Sequence, residues 1–238
     1  MPTINATKLP EVILQAALRD TYKKPDWCDY TMTELISPPM VRRLWREHGG
    51  EVQQDVADMA ALFIGKGVHL LLEQRGSTET SLQEERLSVT LTVGGEKFVV
   101  AGAFDSFLGE ADAIACYSGR LTDYKTCKAF KLMLGVQPSP DWTAQLNGLA
   151  LMAKGMGLDI TTLEAVAFVK DWSEDKAKYK RGYPKRSIVA IPIPRWTDEA
   201  TSLYLTDRIR YHRLVDSHPT AETAPICTGG SFVGNKWD

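Results

Sequence analysis

Three side chains of this 238-residue sequence could together carry out hydrolytic chemistry. Asp123 and Lys125 stand two positions apart in a run whose residues favour a β-strand. Because side chains alternate between the faces of a strand, Asp123 and Lys125 project from one face and Tyr124 from the other. Asp105 follows another β-rich run, residues 101–104. Two carboxylates and a lysine on neighbouring strands are the minimum set for metal-assisted hydrolysis of a phosphodiester.

The same spacing also arises without function. An acidic residue, any residue and then a lysine occurs by chance about once or twice in a chain of this size and composition. Residues 174–176 repeat the pattern in a charged stretch that lacks flanking strand residues, which is typical of a solvated loop. The significance of residues 123–125 therefore comes from their position on a predicted strand.

A long helix is predicted beside these strands, over residues 51–75, where apolar side chains recur at helical spacing. His69 and Glu73 lie four residues apart on one face of this helix. Gly65 and Gly67 each cost about 1 kcal/mol in a helix interior, so we expect another backbone to approach closely there.

Helical and strand patterns alternate along the rest of the chain. They predict a helix over 39–48, a β-hairpin over 86–93 and 97–105, a loop around Gly109, a turn at Gly119 into a strand ending near 126, a helix over 142–154, strands over 162–169 and 187–193, and a helix over 197–215. This order predicts a single α/β domain over residues 1–238, with a mixed central sheet flanked by helices. The core would span about 37–216, and residues 217–238 would form an irregular tail.

Residues 170–186 form a stretch crowded with Lys and Arg that also contains Trp172, Tyr179 and Tyr183. Such a stretch could track a phosphate backbone and stack unpaired bases. A solvated charged loop explains the same composition equally well.

Composition and cysteine usage indicate a cytoplasmic protein. No apolar run approaches the roughly 20 residues that span a bilayer, and no basic segment followed by an apolar core opens the chain. The four cysteines are scattered without a Cys-x-x-Cys pair, which favours reduced thiols. Because the net charge is −2, any nucleic-acid binding requires a local basic surface.

Taken in order, these motifs resemble those of the PD-(D/E)XK nuclease superfamily, in particular its RecB-type and phage-exonuclease branch. The resemblance covers about residues 37–212. Residues 65–69 with Glu73 are similar to the family's helical Gly/His motif, and residues 102–105 to its Gly-x-x-Asp strand. Residues 123–126 are similar to its acid-x-Lys strand, and Gln145 lies on a predicted helix as the family's glutamine does.

The resemblance implies a restriction-endonuclease-like fold and a Mg²⁺- or Mn²⁺-dependent nuclease. It assigns the metal to His69, Asp105, Asp123 and the backbone carbonyl of Tyr124, and catalysis to Asp105, Asp123, Lys125 and Gln145. Gln145 would bond to Lys125 or to the DNA backbone. His69 could instead be a hydrogen-bonded core residue, and Glu73 a second-metal group or an ordinary helix-surface carboxylate.

Two positions depart from the family. Its glutamine is often followed four residues later by a tyrosine, where this chain has Leu149. Some relatives bind an iron–sulfur cluster through one upstream and three C-terminal cysteines, whereas only Cys227 lies in the C-terminal region here. No iron–sulfur cluster is therefore expected.

By resemblance, the chain is expected to act on DNA as an exonuclease in phage recombination or repair, in the host cytoplasm if it is phage-encoded. A single-strand-annealing or recombination protein is a further expected partner, and no membrane is involved. One alternative is a catalytically inactive DNA-binding accessory protein with the same fold, and another is a protein-interaction module. The intact set of Asp105, Asp123 and Lys125 favours the enzyme.

Overall fold

A computed structural model describes residues 2–19, 24–74, 76–78, 81–111, 117–133, 138–221 and 223–225. Its first elements are β1 (Thr3–Ile4), α1 (Glu11–Leu18), β2 (Tyr30–Thr31), α2 (Met32–Ile36), α3 (Pro39–His48), β3 (Gln54–Asp55), a 3₁₀-helix (Val56–Asp58), α4 (Ala60–Glu73), β4 (Ser81–Gln83), β5 (Arg86–Val93) and β6 (Glu96–Ala103). They are followed by β7 (Ser106–Ala111), β8 (Tyr117–Cys127), α5 (Ala129–Met133), α6 (Pro140–Ala153), a 3₁₀-helix (Lys154–Met156), β9 (Leu158–Val169), α7 (Glu174–Tyr179), β10 (Ile188–Ile193) and α8 (Asp198–Ser217).

Two compact units make up the described chain. The first contains the described residues of 1–63, 90–100 and 202–238, and the second those of 64–89 and 101–201. Every residue that the sequence analysis places in the site belongs to the second unit.

The second unit is built on a five-stranded sheet with the order β10-β9-β8-β7-β4. β8 and β9 run parallel, and the other neighbouring strands pair antiparallel. α6 packs against β8, β9 and β10 and contributes fully buried residues such as Leu146 and Leu149. The predicted α/β class with a mixed sheet is therefore confirmed.

The first unit contains a small apolar cluster in which Ala17, Val56 and Met59 are buried. β1 and β3 form a parallel pair in this unit. A separate three-stranded sheet, of which the first unit contains β2 and residues 90–100, has the order β2-β6-β5. β5 and β6 are the two strands of the predicted hairpin. Its turn residues Gly94 and Gly95 have φ values of 60° and 86°, which glycine adopts most readily. No described helix combines the length and the apolar character needed to cross a membrane.

The helix predicted over 51–75 is shorter in the structure, since α4 begins at Ala60. Gln54 and Asp55, which precede α4, form strand β3 and pair with the distant strand β1. The Asp55 carboxylate accepts the N–H groups of Ala6, Thr7 and Ala57, at 3.0, 3.3 and 2.9 Å. These bonds stabilise a turn before α4, which the spacing of the apolar residues does not predict.

The predicted loop around Gly109 is instead strand β7, and Gly119 lies inside β8 rather than at a turn before it. The two glycines face each other in the antiparallel register. A Cβ on Gly119 would collide with the carbonyl oxygen of Leu108, and one on Gly109 would lie 2.5 Å from the Phe107 ring. Glycine here permits close packing of two strands.

Candidate functional site

Glu84 and Asp105 are brought together where strands β4 and β7 stop pairing. Gln83 and Ser106 form the last antiparallel pair of these strands, and the Gln83 side-chain amide donates to the Ser106 hydroxyl at 2.9 Å. The next residues, Glu84 and Asp105, lie next to each other just beyond the end of this strand pairing. The Glu84 N–H donates to the Asp105 carbonyl oxygen at 3.2 Å, which fixes this junction.

Asp105 also lies beside Asp123, because Ser106 and Thr122 form the last pair of β7 with β8. Beyond that pair, the Asp105 side chain, rather than a backbone carbonyl, accepts a backbone N–H of β8. Its Oδ2 accepts the N–H of Tyr124 at 2.5 Å. This bond anchors the carboxylate to the strand that carries Asp123 and Lys125.

His69 completes a group of three residues that could hold a metal ion. Its Nδ1 lies 3.5 Å from Asp105 Oδ1 and 3.6 Å from Glu84 Oε1. One ligand atom from each residue lies within 4.8 Å of the others. Asp105 is buried, His69 is half-buried and Glu84 is exposed, so the group opens to solvent on the Glu84 side.

Glu84 is held in an unusual backbone conformation, with φ at 52°. Residues other than glycine rarely adopt this left-handed region, and such conformations are enriched at functional sites. Glu84 lies in the two-residue link between β4 and β5.

A second set of contacts joins Asp123, Lys125 and Gln145. Lys125 Nζ lies 2.6 Å from Asp123 Oδ2 and donates to Gln145 Oε1 at 2.9 Å. The Gln145 amide also reaches Asp123 Oδ1, at 3.5 Å. Gln145 is able to do this because α6 packs directly on β8 and β9. The lysine ammonium is therefore held from two sides.

Asp123 is only 2% exposed, so its carboxylate is removed from water. Its Oδ2 lies 2.6 Å from the Lys125 ammonium, which is the ion-pair partner of this buried oxygen. A buried carboxylate is costly unless it is paired, so Asp123 depends on the positive charge of Lys125.

The pKa values of both aspartates, Asp105 and Asp123, are raised above their ordinary values. Burial, reinforced by the charge of Asp123, raises the pKa of Asp105 to about 7. Burial also raises the pKa of Asp123, against the opposing effect of Lys125. The Glu84 carboxylate, aided by Asp105 and opposed by burial, raises the pKa of His69. Burial of Asp105, together with the carboxylates that neighbour it and His69, thus favours the protonated forms of both side chains, and a bound cation would oppose this effect.

The structure brings together most of the residues predicted for the site. His69 and Asp105 adjoin each other, and Asp123, Lys125 and Gln145 form the connected set beside them. Tyr124 contributes its N–H to Asp105. Glu73 is exposed at the end of α4 and does not belong to the metal-binding group found among the described residues.

Glu84 was missed by the sequence analysis. It stands in an acidic pair just ahead of the predicted hairpin, and such pairs are common in solvated turns. Only the pairing of β4 with β7, which joins residues 23 positions apart, shows that it lies beside Asp105.

The predicted close approach of a backbone to Gly65 and Gly67 is wrong. Among the described residues, a Cβ on Gly65 would meet only the Thr126 hydroxyl, at an ordinary 3.5 Å, and one on Gly67 would meet nothing within 4 Å. Leu149, at the position where the family often has tyrosine, is fully buried in the core. Cys227 lies outside the described residues.

Comparisons with known proteins bear on the fold alone. No family model matches this chain, and no curated protein matches it. Among solved structures, the crystal structure of SSO0001 is similar over 84% of this chain and 82% of that chain. The TM-score is 0.55 and the sequence identity is 16%. At this level of identity the similarity supports the mixed α/β architecture and carries no residue roles.

Proposed function

We propose that this protein is a metal-dependent DNA nuclease of the PD-(D/E)XK type, with a restriction-endonuclease-like fold. The observation that carries the proposal is the adjacency of two sets of residues. The His69–Glu84–Asp105 group lies beside the contacts that join Asp123 to Lys125. Carboxylates that can hold a cation next to a positioned lysine are the equipment for phosphodiester hydrolysis.

The residues present suit a divalent cation. Asp105 and Asp123 are both buried, and burial together with the charge of Asp123 raises the pKa of Asp105 to about 7. Carboxylate oxygens with one imidazole favour Mg²⁺ or Mn²⁺, and the imidazole suits Mn²⁺ better. His69, Glu84 and Asp105 would hold the ion, with Asp123 adjoining it. A bound ion of this kind lowers the pKa of water and neutralises charge that develops on a phosphate.

Lys125 would stabilise the negative charge that grows on the phosphate oxygens or orient the attacking water. Gln145 is a positioning residue in this scheme, because it accepts a hydrogen bond from the Lys125 ammonium. Holding the ammonium in place before the substrate binds reduces the rearrangement needed during the reaction.

The more specific proposal is an exonuclease acting in phage recombination or repair, which rests on the sequence resemblance. The alternative is a DNA-binding accessory protein that has this fold without catalysis. It predicts DNA binding with no cleavage in any divalent metal.

Digestion of a circular plasmid and of an end-labelled linear duplex, each with Mn²⁺, with Mg²⁺ and with EDTA, tests the proposal. We expect metal-dependent cleavage, with the linear substrate degraded and the closed circle spared if the enzyme is an exonuclease. Asp123→Asn and Lys125→Ala should each lower the rate at least about 100-fold. Gln145→Ala should lower kcat about 10- to 100-fold with little change in KM, because it displaces Lys125.

Asp159→Asn is the matched control, since Asp159 is exposed at the opposite end of the neighbouring strand β9. It should cut at the wild-type rate. Cleavage that persists in EDTA, or full activity in both Asp123→Asn and Lys125→Ala, would refute the assignment. Binding without cleavage by the wild-type protein would favour the accessory role.

A further inference from the structure

Residues 170–186, the basic lobe, form a folded surface feature of the second unit rather than a solvated loop. Tyr183 and Ala177 of the lobe are buried against Ala129 of α5 and Val169 of β9. Trp172 packs on the same cluster. The lobe thus has a small core of its own, shared with α5.

Hydrogen bonds hold the lobe in one conformation. The Tyr183 hydroxyl donates to the Asp171 carbonyl and accepts the Ser173 N–H, both at 3.0 Å. The Trp172 indole N–H donates to the Pro184 carbonyl at 3.0 Å, and Lys185 Nζ donates to the Ala177 carbonyl at 2.7 Å. Two of its three aromatic residues therefore have a structural role.

Tyr179, the third aromatic residue of the lobe, is exposed to solvent. Tyr179 is 86% exposed, at the end of α7. Phe130 of the neighbouring α5 is 65% exposed. These rings lie on two short helices whose Ala177 and Ala129 pack in one cluster. Exposed aromatic rings are suited to stacking on a flat ligand.

The lobe is strongly basic in a chain whose net charge is −2. It contains seven Lys or Arg residues against three Asp or Glu residues, a net charge of +4. The exposed cations without a carboxylate partner among the described residues are Lys170, Lys176, Lys180, Arg181 and Arg186. A polyanion is the complementary ligand.

The lobe begins close to the candidate site. β8 and β9 run parallel, with Lys125 opposite Ala167 and Cys127 opposite Val169. The Lys170 N–H then donates to the Cys127 carbonyl at 3.0 Å. The lobe therefore leaves the sheet two residues beyond Lys125, about 7 Å along the strand.

We propose that the basic lobe, together with Phe130, is a docking surface for unpaired single-stranded DNA. The exposed cations would follow the phosphates, while Tyr179 and Phe130 would stack on bases. The inference rests on the proposed nuclease function and deepens it, because it names an unpaired strand as the segment delivered to the site. Unpaired bases are favoured over a duplex because only they expose their faces to an aromatic ring.

Binding can be measured apart from cleavage, by fluorescence anisotropy of a labelled oligothymidylate with the full chain in EDTA. Tyr179→Ala should weaken binding roughly 5- to 100-fold. That loss should disappear with an abasic oligomer of the same length, which has phosphates but no bases. Arg181→Glu should lower the slope of log affinity against log salt by at least about 0.7, because it removes one single-strand phosphate contact and adds a negative charge beside the strand.

Tyr211→Ala and Lys97→Glu are matched controls, because both residues are exposed and lie outside the lobe. Both should bind like the wild-type protein. The proposal fails if the wild-type protein does not bind the oligomer, if both lobe variants bind normally, or if a duplex binds more tightly and Tyr179→Ala leaves that binding unchanged. It also fails if polyglutamate binds as tightly as the oligomer, because the lobe would then recognise acidic protein segments.

The two proposals fail in different ways. Oligomer binding that depends on Tyr179 in a protein that never cuts DNA would refute the nuclease assignment and leave the docking surface in place. Normal metal-dependent cleavage, with binding unaffected by either lobe variant, would refute the docking surface alone.

Discussion

Asp105 is the residue on which the geometry of the candidate site depends most. One carboxylate oxygen faces His69, and the other accepts the Tyr124 N–H. Its backbone carbonyl accepts the N–H of Glu84. A single aspartate thus connects the helix, the β4–β5 junction and the central strand, and it does so while buried near another carboxylate.

The raised pKa of Asp105 makes the metal-free protein less stable as pH rises. The pKa is about 7 in the folded protein and about 3.9 in an unfolded chain, so the folded state binds more protons between these values. The stability associated with the protonated carboxyl is present below about pH 4 and is lost as pH rises through about 7.

Asp105→Asn cannot ionise, so in EDTA it should be more stable than the wild-type protein at about pH 8, by up to about 4 kcal/mol. Its advantage should shrink towards about pH 4. Urea unfolding at both values measures the difference. A stability difference between Asp105→Asn and the wild-type protein that stays the same at both pH values would contradict the raised pKa of Asp105.

His69 can be tested through the choice of metal. Imidazole stabilises Mn²⁺ more than Mg²⁺, so His69→Ala should weaken Mn²⁺ binding more than Mg²⁺ binding. Because the side chain is half-buried rather than enclosed, the melting temperature without metal should change little. Titration calorimetry with both ions, alongside thermal melts, separates the roles. A lowered melting temperature with both affinities unchanged would make His69 a structural residue.

Glycines have opposite roles in two elements near the site. In α4, a Cβ added at Gly67 would meet no atom of the described part of the chain within 4 Å, so no such contact offsets the low helix propensity of this glycine. In the β7–β8 pair, Gly109 and Gly119 face each other where either Cβ would collide with neighbouring atoms. Substitution by alanine should therefore have opposite effects in the two places.

Gly67→Ala should raise the free energy of unfolding by up to about 1 kcal/mol, because alanine is the better helix former. Gly119→Ala should lower it by about 1–3 kcal/mol, since the strands must move apart to admit the methyl group. Urea unfolding curves for both variants provide the measurement. A destabilised Gly67→Ala would mean that an additional group occupies the space beside α4.

At the level of the whole molecule, metal binding should be coupled to stability. An ion that binds the folded protein alone stabilises it by about 2.7 kcal/mol at a concentration 100-fold above Kd. Mn²⁺ should therefore raise the melting temperature relative to EDTA. The increase should diminish as pH falls below about 7, because Asp105 and His69 must lose their protons to bind the ion.

Asp105→Asn is the control for this effect, and its melting temperature should respond weakly to Mn²⁺ at every pH. Differential scanning fluorimetry across a pH series makes the comparison. A wild-type melting temperature that is the same in Mn²⁺ and EDTA at about pH 8 would exclude a tight site at this group.

Local patterns in the chain were sufficient for several elements. The hairpin β5–β6 follows from alternation around Gly94-Gly95, and α8 from the helical pattern after Thr197, whose hydroxyl accepts the Ala200 N–H. The strand carrying Asp123 and Lys125 was likewise predicted from its own residues. Periodicity and capping depend on residues only a few positions apart, so the local sequence contains all the information needed to predict these elements.

Contacts between distant residues decided the remainder. Glu84 lies in the candidate metal group because β4 pairs with β7. Asp55 lies outside α4 because β3 pairs with β1. Gly109 lies in strand β7 because that segment pairs with β8. Each outcome depends on a partner that lies many residues away and on the register in which the two segments meet. Register is selected by the packing of the assembled sheet, and no single segment contains that information.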